Sequence, residues 1–300
     1  MRVTIKDDFD LDKIIESGQC FRPKFCEEIG KYRFICRDKV LYINKMDINF
    51  DYEVSCDEND WNLFWKDYFD LNRNYSMIRK DLRDEYFAEA ADFSEGIRIL
   101  KQDYWETLIS YIISQRKSIP AIKSSVEKLC DLFGEEIETD YEKVSLFPSP
   151  EQLKNADEEI LSSCGLGYRV PYILGVIIEA LNERLPFREW ENLGNEELFE
   201  KLCFLKGVGT KVANCVMLFA YHRTDRAPVD VWIKRVIDNE FNGINRFDDY
   251  GNDAGIIQQY VFYSYNSSII SLANALTSSV SAFSSILETA SLILTNFSIR

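Results

Sequence analysis

The chain has 300 residues, of which 46% are hydrophobic and 14% aromatic. This composition supplies enough apolar surface for a sizeable core and excludes an intrinsically disordered protein. The 50 acidic and 35 basic residues give a net charge of −15, which alone argues against a nucleic-acid partner, because phosphate contacts need Lys and Arg. A basic patch can still lie on an acidic body, so the positions of the cations matter more than their number.

Cysteine usage and the N-terminus indicate the cellular setting. The eight cysteines include no C-x-x-C pair, and their spacings do not fit zinc or iron–sulfur ligation. The first 15 residues are charged and lack a signal-peptide core. We therefore expect no iron–sulfur cluster and reduced thiols in a cytoplasmic protein, associated with the nucleoid if the source is prokaryotic.

Residues 1–98 are predicted to form an antiparallel sheet followed by acidic helices. Residues 32–36 and 40–43 are predicted to be strands on either side of a polar turn, and residues 49–54 are a further candidate strand. The earlier segment 17–23, SGQCFRP, contains Gly18 in a turn. A glycine there can simply serve the turn. From residue 59 onward the pattern is helical.

Residues 99–265 are predicted to be mainly helical. Residues 104–115 are apolar on most faces, which indicates a buried helix, and 119–133 have a helical stripe that ends at Gly134. Further helices are predicted from 148–153, with Ser149 as N-cap and Pro150 at the first helical position, and over 168–181. The fold class is therefore α+β, with a sheet domain at 1–98 and a helical domain at 99–265.

The last segment, 266–300, is rich in serine and nearly free of charge. Its uncharged run is long enough for a membrane helix, but hydroxyl and amide side chains recur every few residues and argue against one. We expect a disordered or loosely helical tail, or an extension foreign to the fold.

The stretch 205–232, LKGVGTKVANCVMLFAYHRTDRAPVDVW, contains the most suggestive residues. Its Gly-Val-Gly turn precedes a helix and can offer backbone N–H groups to a phosphate. Lys211 follows in the first helical turn, and Asp230 begins another helical run. A lysine and a carboxylate brought together across a loop can act as a nucleophile and its electrostatic partner, although a lysine in this position is usually just solvated.

Basic residues cluster at helix starts and in loops, where phosphates are usually bound. Each cation alone is most simply a solvated surface charge. Together they are predicted to form one positive face, comprising Arg116, Lys117 and Lys123, then Arg169 beside Tyr168, and then Lys206, Lys211, Lys234 and Arg235.

With these motifs in order, the chain resembles the 8-oxoguanine DNA glycosylase/AP lyase family of the helix-hairpin-helix DNA glycosylase superfamily. The resemblance rests on LKGVGTKVANC followed by PVDVW, and on SGQCFRP at 17–23, GLGYR at 165–169 and AGIIQQYVF at 254–262. It implies a bifunctional enzyme that flips 8-oxoguanine out of duplex DNA, excises it and cleaves the strand by β-elimination. It also implies a monomer with no membrane partner.

The resemblance further implies a role for each matching position. Lys211 would attack C1′ and form a Schiff base, and Asp230 would stabilise the developing sugar cation. The extruded base would be bound by Gly18, Cys215, Gln258 and Phe262. DNA would be contacted by the wedge residue Tyr168 and by Arg116, Lys117, Arg169, Gly207, Val208 and Gly209. No cofactor is required, but a structural monovalent cation would lie on the backbone carbonyls of Cys203, Leu205 and Val208.

The chain departs from the family pattern in two places. Arg116 and Lys117 stand where asparagines recognise the cytosine opposite the lesion, and Ala121 stands where an arginine does so. We therefore expect relaxed discrimination of the opposite base, with Arg116 filling the space of the flipped base. Trp232 stands where a histidine often contacts phosphate, so that contact is made differently or is absent. His222, the single histidine, is expected at the surface.

Two other hypotheses stay open at this point. A monofunctional glycosylase for other damaged bases would use only the aspartate and water, so Lys211 argues against it. The absence of a four-cysteine cluster after Asp230 also argues against the iron–sulfur branches. A non-catalytic helix-hairpin-helix DNA-binding protein would require neither Lys211 with Asp230 nor Gln258 with Phe262.

Overall fold

The computed structural model describes residues 1–46 and 50–268. Within this part, an antiparallel sheet has the strand order β1-β5-β4-β3-β2. Its strands are β1 (Arg2–Thr4), β2 (Lys24–Cys26), β3 (Lys31–Cys36), β4 (Lys39–Lys45) and β5 (Asp51–Val54). Phe34 pairs with Leu41 across β3 and β4, and both side chains are buried in a core with Trp65 and Phe69.

The predicted strands at 32–36 and 40–43 are confirmed as β3 and β4. The third predicted strand, 49–54, corresponds to β5, which begins at Asp51, while Asn49 lies outside the described residues. β1 and β2 were not predicted, because three-residue strands are too short to display the alternation of a strand.

Helices make up most of the remaining described chain, which confirms the α+β class. They are α1 (Leu11–Glu16), α2 (Glu58–Asp60), a π-helical turn (Trp61–Trp65), α3 (Lys66–Tyr68), α4 (Tyr75–Lys80), α5 (Glu85–Phe93), α6 (Tyr104–Ser114), α7 (Ile119–Phe133), α8 (Glu158–Ser163), a 3₁₀ turn (Gly167–Arg169), α9 (Val170–Leu181), α10 (Phe187–Trp190), α11 (Asn195–Phe204), α12 (Thr210–Phe219), α13 (Val231–Glu240), a 3₁₀ segment (Phe247–Asp253) and α14 (254–268). A short hairpin, β6 (Glu136–Glu138) and β7 (Lys143–Ser145), follows α7.

Helix α6 is the centre of the helical region, as its apolar sequence predicts. Asp103 caps it by accepting hydrogen bonds from the backbone N–H groups of Trp105 at 3.0 Å and Glu106 at 3.1 Å. The helix is buried on nearly all faces and packs against α7, α9 and α12. Because α6 ends at Ser114, the loop that follows it emerges beside the N-terminus of α12.

Helix α7 has the predicted bounds, but its final glycine serves another purpose than a left-handed cap. Gly134 has an extended backbone with φ of −75°. A Cβ at this position would lie 2.0 Å from the carbonyl oxygen of Leu146 and 2.6 Å from that of Cys130. Glycine is therefore required by close backbone packing rather than by a positive φ.

The predicted helix beginning at 148–153 is wrong. Ser149 and Gln152 form the reciprocal bonds of a capping box, since Gln152 Oε1 accepts from Ser149 N at 2.7 Å and Ser149 Oγ accepts from Gln152 N at 3.3 Å. The chain makes only turns there and becomes helical at Glu158. A cap stabilises the first helical turn, but it does not offset the free-energy cost of helix nucleation when no further turns follow.

The helix predicted over 168–181 begins two residues later, at Val170, and Tyr168 lies in the 3₁₀ turn that precedes it. Among the described residues, no helix combines the length and the apolar composition needed to cross a bilayer. The predicted tail at 266–300 falls beyond the described residues except for its first three positions, which belong to α14.

Candidate active site

Lys211 and Asp230 lie at the N-termini of two helices that open onto one cavity. Lys211 is the second residue of α12, and Asp230 is the N-cap of α13. Asp230 Oδ1 accepts hydrogen bonds from the backbone N–H groups of Trp232 and Ile233, both at 2.9 Å. The positive ends of two helix dipoles therefore meet at the cavity, where they favour anionic groups.

The amine of Lys211 lies among groups that leave it accessible. Its Nζ atom is 5.0 Å from the centroid of the Tyr111 ring, and it contacts the Cys215 thiol. Within residues 1–46 and 50–268, no carboxylate oxygen lies within 4.0 Å of this nitrogen. Burial raises the pKa of the Cys215 thiol, against the smaller opposing effect of Lys211, so Cys215 presents a neutral, polarisable face to the cavity.

The cavity opens to solvent, and on one of its walls a buried amide has an oxygen with no partner among the described residues. Gln258 and Phe262 both line it, one helical turn apart on α14. Gln258 is 4% exposed, and its Oε1 atom is buried without a hydrogen-bond partner in the described part of the chain. Because such an unpaired acceptor costs about 1–3 kcal/mol, its presence beside a cavity indicates a ligand that donates a hydrogen bond.

Gly18 lines the cavity next to Phe262, and the structure requires a glycine there. Its φ is 76°, and a Cβ would lie 3.1 Å from Phe262 Cε1 and 3.3 Å from Ile119 Cδ1. The turn is fastened on both sides, because Gln259 Nε2 donates to the Ser17 carbonyl at 2.6 Å and Gln19 Nε2 donates to the Arg98 carbonyl at 2.8 Å. The carbonyl of Gly18 therefore has a fixed direction.

The Gly-Val-Gly turn has the geometry of an anion-binding hairpin. Gly207 has φ of 89°. A side chain at this position would clash with Tyr172, because a Cβ would lie 2.4 Å from its ring. Val208 is buried. Gly209 caps α12 without a side chain, and no atom lies within 4 Å of the position of a Cβ there. The first N–H groups of α12 are thus accessible to a phosphate.

The carbonyls predicted to hold a monovalent cation adjoin this turn. The Leu205 carbonyl accepts a hydrogen bond from Val208 N at 3.0 Å. No backbone N–H in the described residues donates to the carbonyls of Cys203 or Val208. Oxygen donors without a partner at a helix C-terminus are compatible with a cation. No cluster of three or more His, Cys, Asp or Glu side chains in the described residues could hold a metal ion.

A groove of about 1940 Å³ surrounds the cavity mouth and collects positive charge. Among the described residues, Asp230 is the only acidic residue that lines it. Its basic lining residues are Arg116, Lys117, Lys211, Lys234 and Arg235. The basic residues of the first and third predicted clusters thus meet at one face, as expected, although Lys123 and Lys206 do not line it.

Two family models match consecutive parts of the chain. Residues 2–108 match the family model described as "8-oxoguanine DNA glycosylase, N-terminal domain", and residues 109–250 match that of the "HhH-GPD superfamily base excision DNA repair protein". The N-glycosylase/DNA lyase of Saccharomyces cerevisiae is 34% identical over 262 residues, which cover 79% of this chain and 69% of that protein. The chain belongs to the 8-oxoguanine DNA glycosylase family.

Other members of the family resemble this glycosylase over almost their whole length. The probable N-glycosylase/DNA lyase of Methanothermobacter thermautotrophicus is 28% identical over 302 residues, covering 87% of this chain and 95% of that one. The 8-oxoguanine glycosylase/lyase of Clostridium acetobutylicum, solved with double-stranded DNA containing cytosine opposite 8-oxoG, superimposes with a TM-score of 0.82 at 32% identity. This match covers 89% of this chain and 98% of that chain.

Four of the predicted DNA contacts of the glycosylase differ in exposure. Tyr168 is 51% exposed, and Arg116 is exposed with φ of 51°. Lys117 Nζ donates to the Gly165 carbonyl at 2.7 Å and to Ser125 Oγ. Arg169, by contrast, is 6% exposed, with its guanidinium on the backbone carbonyls of Gln115 and Leu166. The structure therefore places Arg169 beneath the surface on which the others lie.

Trp232 and His222 occupy unexpected surroundings. Trp232 lines the groove, and the guanidinium of Arg235 lies 4.6 Å from the centroid of its ring. His222 is not a surface residue as expected. Its side chain is 12% exposed, and Nε2 lies 3.0 Å from Asp70 Oδ2. The reason is that the turn after α12 packs against the loop that follows α3, where Asp70 lies.

Four residues that line the cavity were not predicted from the sequence, namely Tyr111, Phe219, Pro228 and Gln259. Tyr111 lies in an apolar helix and resembles an ordinary core residue. Its hydroxyl donates to the Gln19 carbonyl at 3.1 Å, while its ring faces Lys211. Gln259 is adjacent to Gln258, and two polar amides at consecutive buried positions of a helix are an available signal, because buried polar groups need partners.

Proposed function

We propose that this glycosylase extrudes 8-oxoguanine from duplex DNA into the cavity that Gly18, Gln258 and Phe262 line, with Lys211 as the nucleophile of excision. As a member of its family, the chain is an enzyme of DNA base excision repair with glycosylase and AP lyase activity. The observation that supports the assignment of residues is that Lys211, Asp230 and the unpaired Gln258 oxygen line the same cavity.

The chemical steps follow from these three groups. The neutral amine of Lys211 attacks C1′, the bond from C1′ to the base nitrogen breaks, and the base leaves with a proton. The carboxylate of Asp230, held by its two backbone N–H partners, stabilises the positive charge that develops on the sugar. The attached amine then opens the sugar ring to an imine, and loss of a proton from C2′ breaks the bond between C3′ and the phosphate oxygen.

Recognition of the damaged base uses the polar groups at both sides of the cavity. 8-Oxoguanine carries a proton on N7 that guanine lacks, and the fixed carbonyl of Gly18 is placed to accept it. The Gln258 oxygen accepts from the Watson–Crick edge. Phe262 and Cys215 provide an aromatic and a neutral sulfur face for the two sides of the ring. A site built to accept hydrogen bonds rejects bases that cannot donate them.

The DNA is bound by the groove and by the hairpin. The cations of the groove contact the backbone of the duplex, the N–H groups after Gly209 bind a phosphate, and Tyr168 enters the stack beside the extruded nucleotide. Arg116 occupies the space that the base leaves. A guanidinium only donates hydrogen bonds, and every base carries acceptors, so Arg116 tolerates several bases opposite the lesion. A monovalent cation on the carbonyls near Leu205 would add positive charge beside the phosphate.

Borohydride trapping on duplexes with 8-oxoguanine opposite each of the four bases tests this proposal. Borohydride reduces an imine to a stable amine, so we expect a covalent protein–DNA adduct that maps to Lys211. Adducts of comparable yield on several of the duplexes are expected if Arg116 relaxes the choice of opposite base. Intact DNA binding without any adduct would instead support a monofunctional glycosylase or a binding protein.

A further inference from the structure

The turn of residues 17–19, here called the recognition turn, has one carbonyl that is held twice beside one that is free. The Gln19 carbonyl accepts two hydrogen bonds, from Gln102 Nε2 at 2.8 Å and from Tyr111 Oη at 3.1 Å. No donor in residues 1–46 and 50–268 bonds to the adjacent Gly18 carbonyl. The free carbonyl therefore belongs to the residue of this turn that lines the cavity.

Both donors to the Gln19 carbonyl also contact α12, the helix that contains Lys211. The backbone N–H of Gln102 donates to the carbonyl of Phe219, the last residue of α12, at 2.8 Å. The ring of Tyr111 stacks on that of Phe219, with centroids 5.6 Å apart and an interplanar angle of 9°. The centroid of the Tyr111 ring also lies 5.0 Å from Lys211 Nζ. Two short paths thus connect the recognition turn to the helix of the nucleophile.

The other hydrogen bonds of the recognition turn lead elsewhere in the molecule. They reach α1, the backbone of residues 98–100, and α14. Among the described residues, the turn itself exchanges no hydrogen bond with α12. Gln102 and Tyr111 are consequently its polar connection to that helix. Because Gln19 is fully buried, no water replaces the two donors when they are lost.

We propose that Gln102 and Tyr111 are positioning residues, which set the distance between the Gly18 carbonyl and the Lys211 amine. The inference rests on the proposed function, in which Gly18 binds the base while Lys211 attacks C1′ of the same nucleotide. A base and its C1′ atom are a fixed distance apart, so a displaced turn holds C1′ away from the attack geometry. The two bonds to the Gln19 carbonyl thus link recognition of the base to its excision.

The test compares Gln102→Met, Tyr111→Phe and the double variant in two single-turnover reactions at saturating enzyme. One duplex contains 8-oxoguanine, and the other contains a preformed abasic site, which has no base for Gly18 to hold. We expect excision to slow by about threefold in each single variant, because the Gln19 carbonyl keeps one donor. In the double variant the buried carbonyl has none, so excision should slow by about thirtyfold, more than the product of the two. Cleavage at the abasic site should keep the wild-type rate.

A direct contact with the base gives a different pattern. Gln102 lines neither the cavity nor the groove, whereas Tyr111 lines both. If the Tyr111 hydroxyl bound the base itself, Tyr111→Phe would slow excision, Gln102→Met would behave as wild type, and the double variant would equal Tyr111→Phe. That pattern would overturn the proposal, as would effects that simply multiply or wild-type excision in all three variants. Slower cleavage at the abasic site would also overturn it, because it would show a displaced Lys211.

Matched controls are Gln152→Met and Tyr141→Phe, which make the same exchanges at exposed positions outside the cavity and the groove. Both are expected to behave as wild type in the two reactions. If Gln102→Met fails to fold in a thermal-unfolding check, Gln102→Glu replaces it, since a carboxylate keeps the shape but cannot donate to the carbonyl. Failure of the proposed function would be recognised separately, as absence of 8-oxoguanine excision by the wild-type enzyme.

Discussion

At the scale of single residues, a substitution of Lys211 distinguishes the chemical steps from the binding of DNA. We expect Lys211→Gln to abolish strand cleavage and borohydride trapping, because the amide cannot form an imine. Lesion binding should change by less than about threefold, since one groove cation among several is lost. Single-turnover cleavage gels and a binding titration on the same duplex measure the two effects. Full lyase activity in the variant would show that another amine is the nucleophile.

Asp230 acts through its charge, and its capping function can be kept while the charge is removed. Asp230→Asn still accepts hydrogen bonds from Trp232 N and Ile233 N, so α13 should remain intact. We expect base excision to slow by roughly 10²–10³-fold, as for loss of other preorganised electrostatic groups. The control is Asp157→Asn, which changes the N-cap of α8 outside the groove. Wild-type excision rates in Asp230→Asn would remove this carboxylate from the mechanism.

Glu106, in the first turn of α6, makes the stability depend on pH. Burial raises the pKa of its carboxyl from 4.5 to about 7, although the nearby Arg22 opposes this. A folded pKa above the unfolded value stabilises the protein below the unfolded pKa, and this contribution disappears as pH rises through the folded pKa. We therefore expect the wild type to be less stable at about pH 8 than at about pH 5.

The variant Glu106→Gln tests this expectation, since its amide does not titrate. It should exceed the wild type in free energy of unfolding by roughly 1–3 kcal/mol at alkaline pH and lose this advantage on acidification. Urea unfolding at the two pH values measures the difference. Glu151→Gln, at an exposed position, is the control and should leave the pH dependence unchanged. An identical profile for Glu106→Gln would refute the assignment.

At the scale of elements, Arg98 holds the loops of the sheet domain together. Its guanidinium is fully buried and lies 4.1 Å from the Tyr75 ring centroid. It donates hydrogen bonds to Asp7 Oδ2 and to the backbone carbonyls of Asp8, Phe69, Asp70 and Arg73. We expect Arg98→Met to lower the free energy of unfolding by roughly 3–5 kcal/mol, because these acceptors stay buried without a donor.

Thermal and urea unfolding measure the loss in Arg98→Met. A matched control is Arg184→Met, which removes an arginine whose side chain is 60% exposed and paired with Glu179. Exposed ion pairs contribute about 0–1 kcal/mol, so this variant should unfold close to wild type. Equal effects of the two substitutions would show that the buried bonds of Arg98 add nothing specific.

Elements with strong periodicity were predictable from the sequence, and those formed by distant contacts were not. The stripe of α7 reflects one buried face, whereas β3 and β4 are short apolar runs in which residues 33–36 and 41–43 are consecutively buried. Both kinds of pattern are local. The hairpin of β6 and β7 has three residues in each strand, too few for a pattern. The segment 148–153 has the residues of a helix start, but its continuation depends on packing that no local pattern reports.

The same distinction applies to the candidate site. Gln258 and Phe262 were predictable because they lie four residues apart in a helix and in a family motif. Arg169 also matches a motif, yet its burial depends on the carbonyl of Gln115, 54 residues away. Tyr111 is similar, since only the folded chain brings its ring beside Lys211. Positions are thus predictable from spacing, whereas the direction of a long side chain is set by tertiary contacts.

At the scale of the whole molecule, five groove cations on a body of net charge −15 determine how DNA binds. Lys117, Lys234 and Arg235 are the groove cations that remain for phosphates when Lys211 acts as a neutral nucleophile and Arg116 enters the duplex. Release of counterions by about three phosphate contacts predicts a loss of roughly 40-fold in affinity between about 50 and 200 mM salt. Fluorescence anisotropy over this range measures it. Arg235→Gln should reduce the slope by about 1, while Lys201→Gln, outside the groove, should not. A flat salt response would contradict binding by the groove.

The contrast between the basic groove and the acidic body also affects how the enzyme meets a crowded chromosome. The acidic outer surface repels a second duplex, so one molecule cannot crosslink two DNA segments, however densely they are packed. The uneven charge also orients the approaching enzyme, because the electric field of the DNA exerts a torque that turns the basic groove toward the duplex before contact. An acidic repair enzyme thereby avoids being trapped between neighbouring duplexes, at the cost of a narrower range of productive collisions.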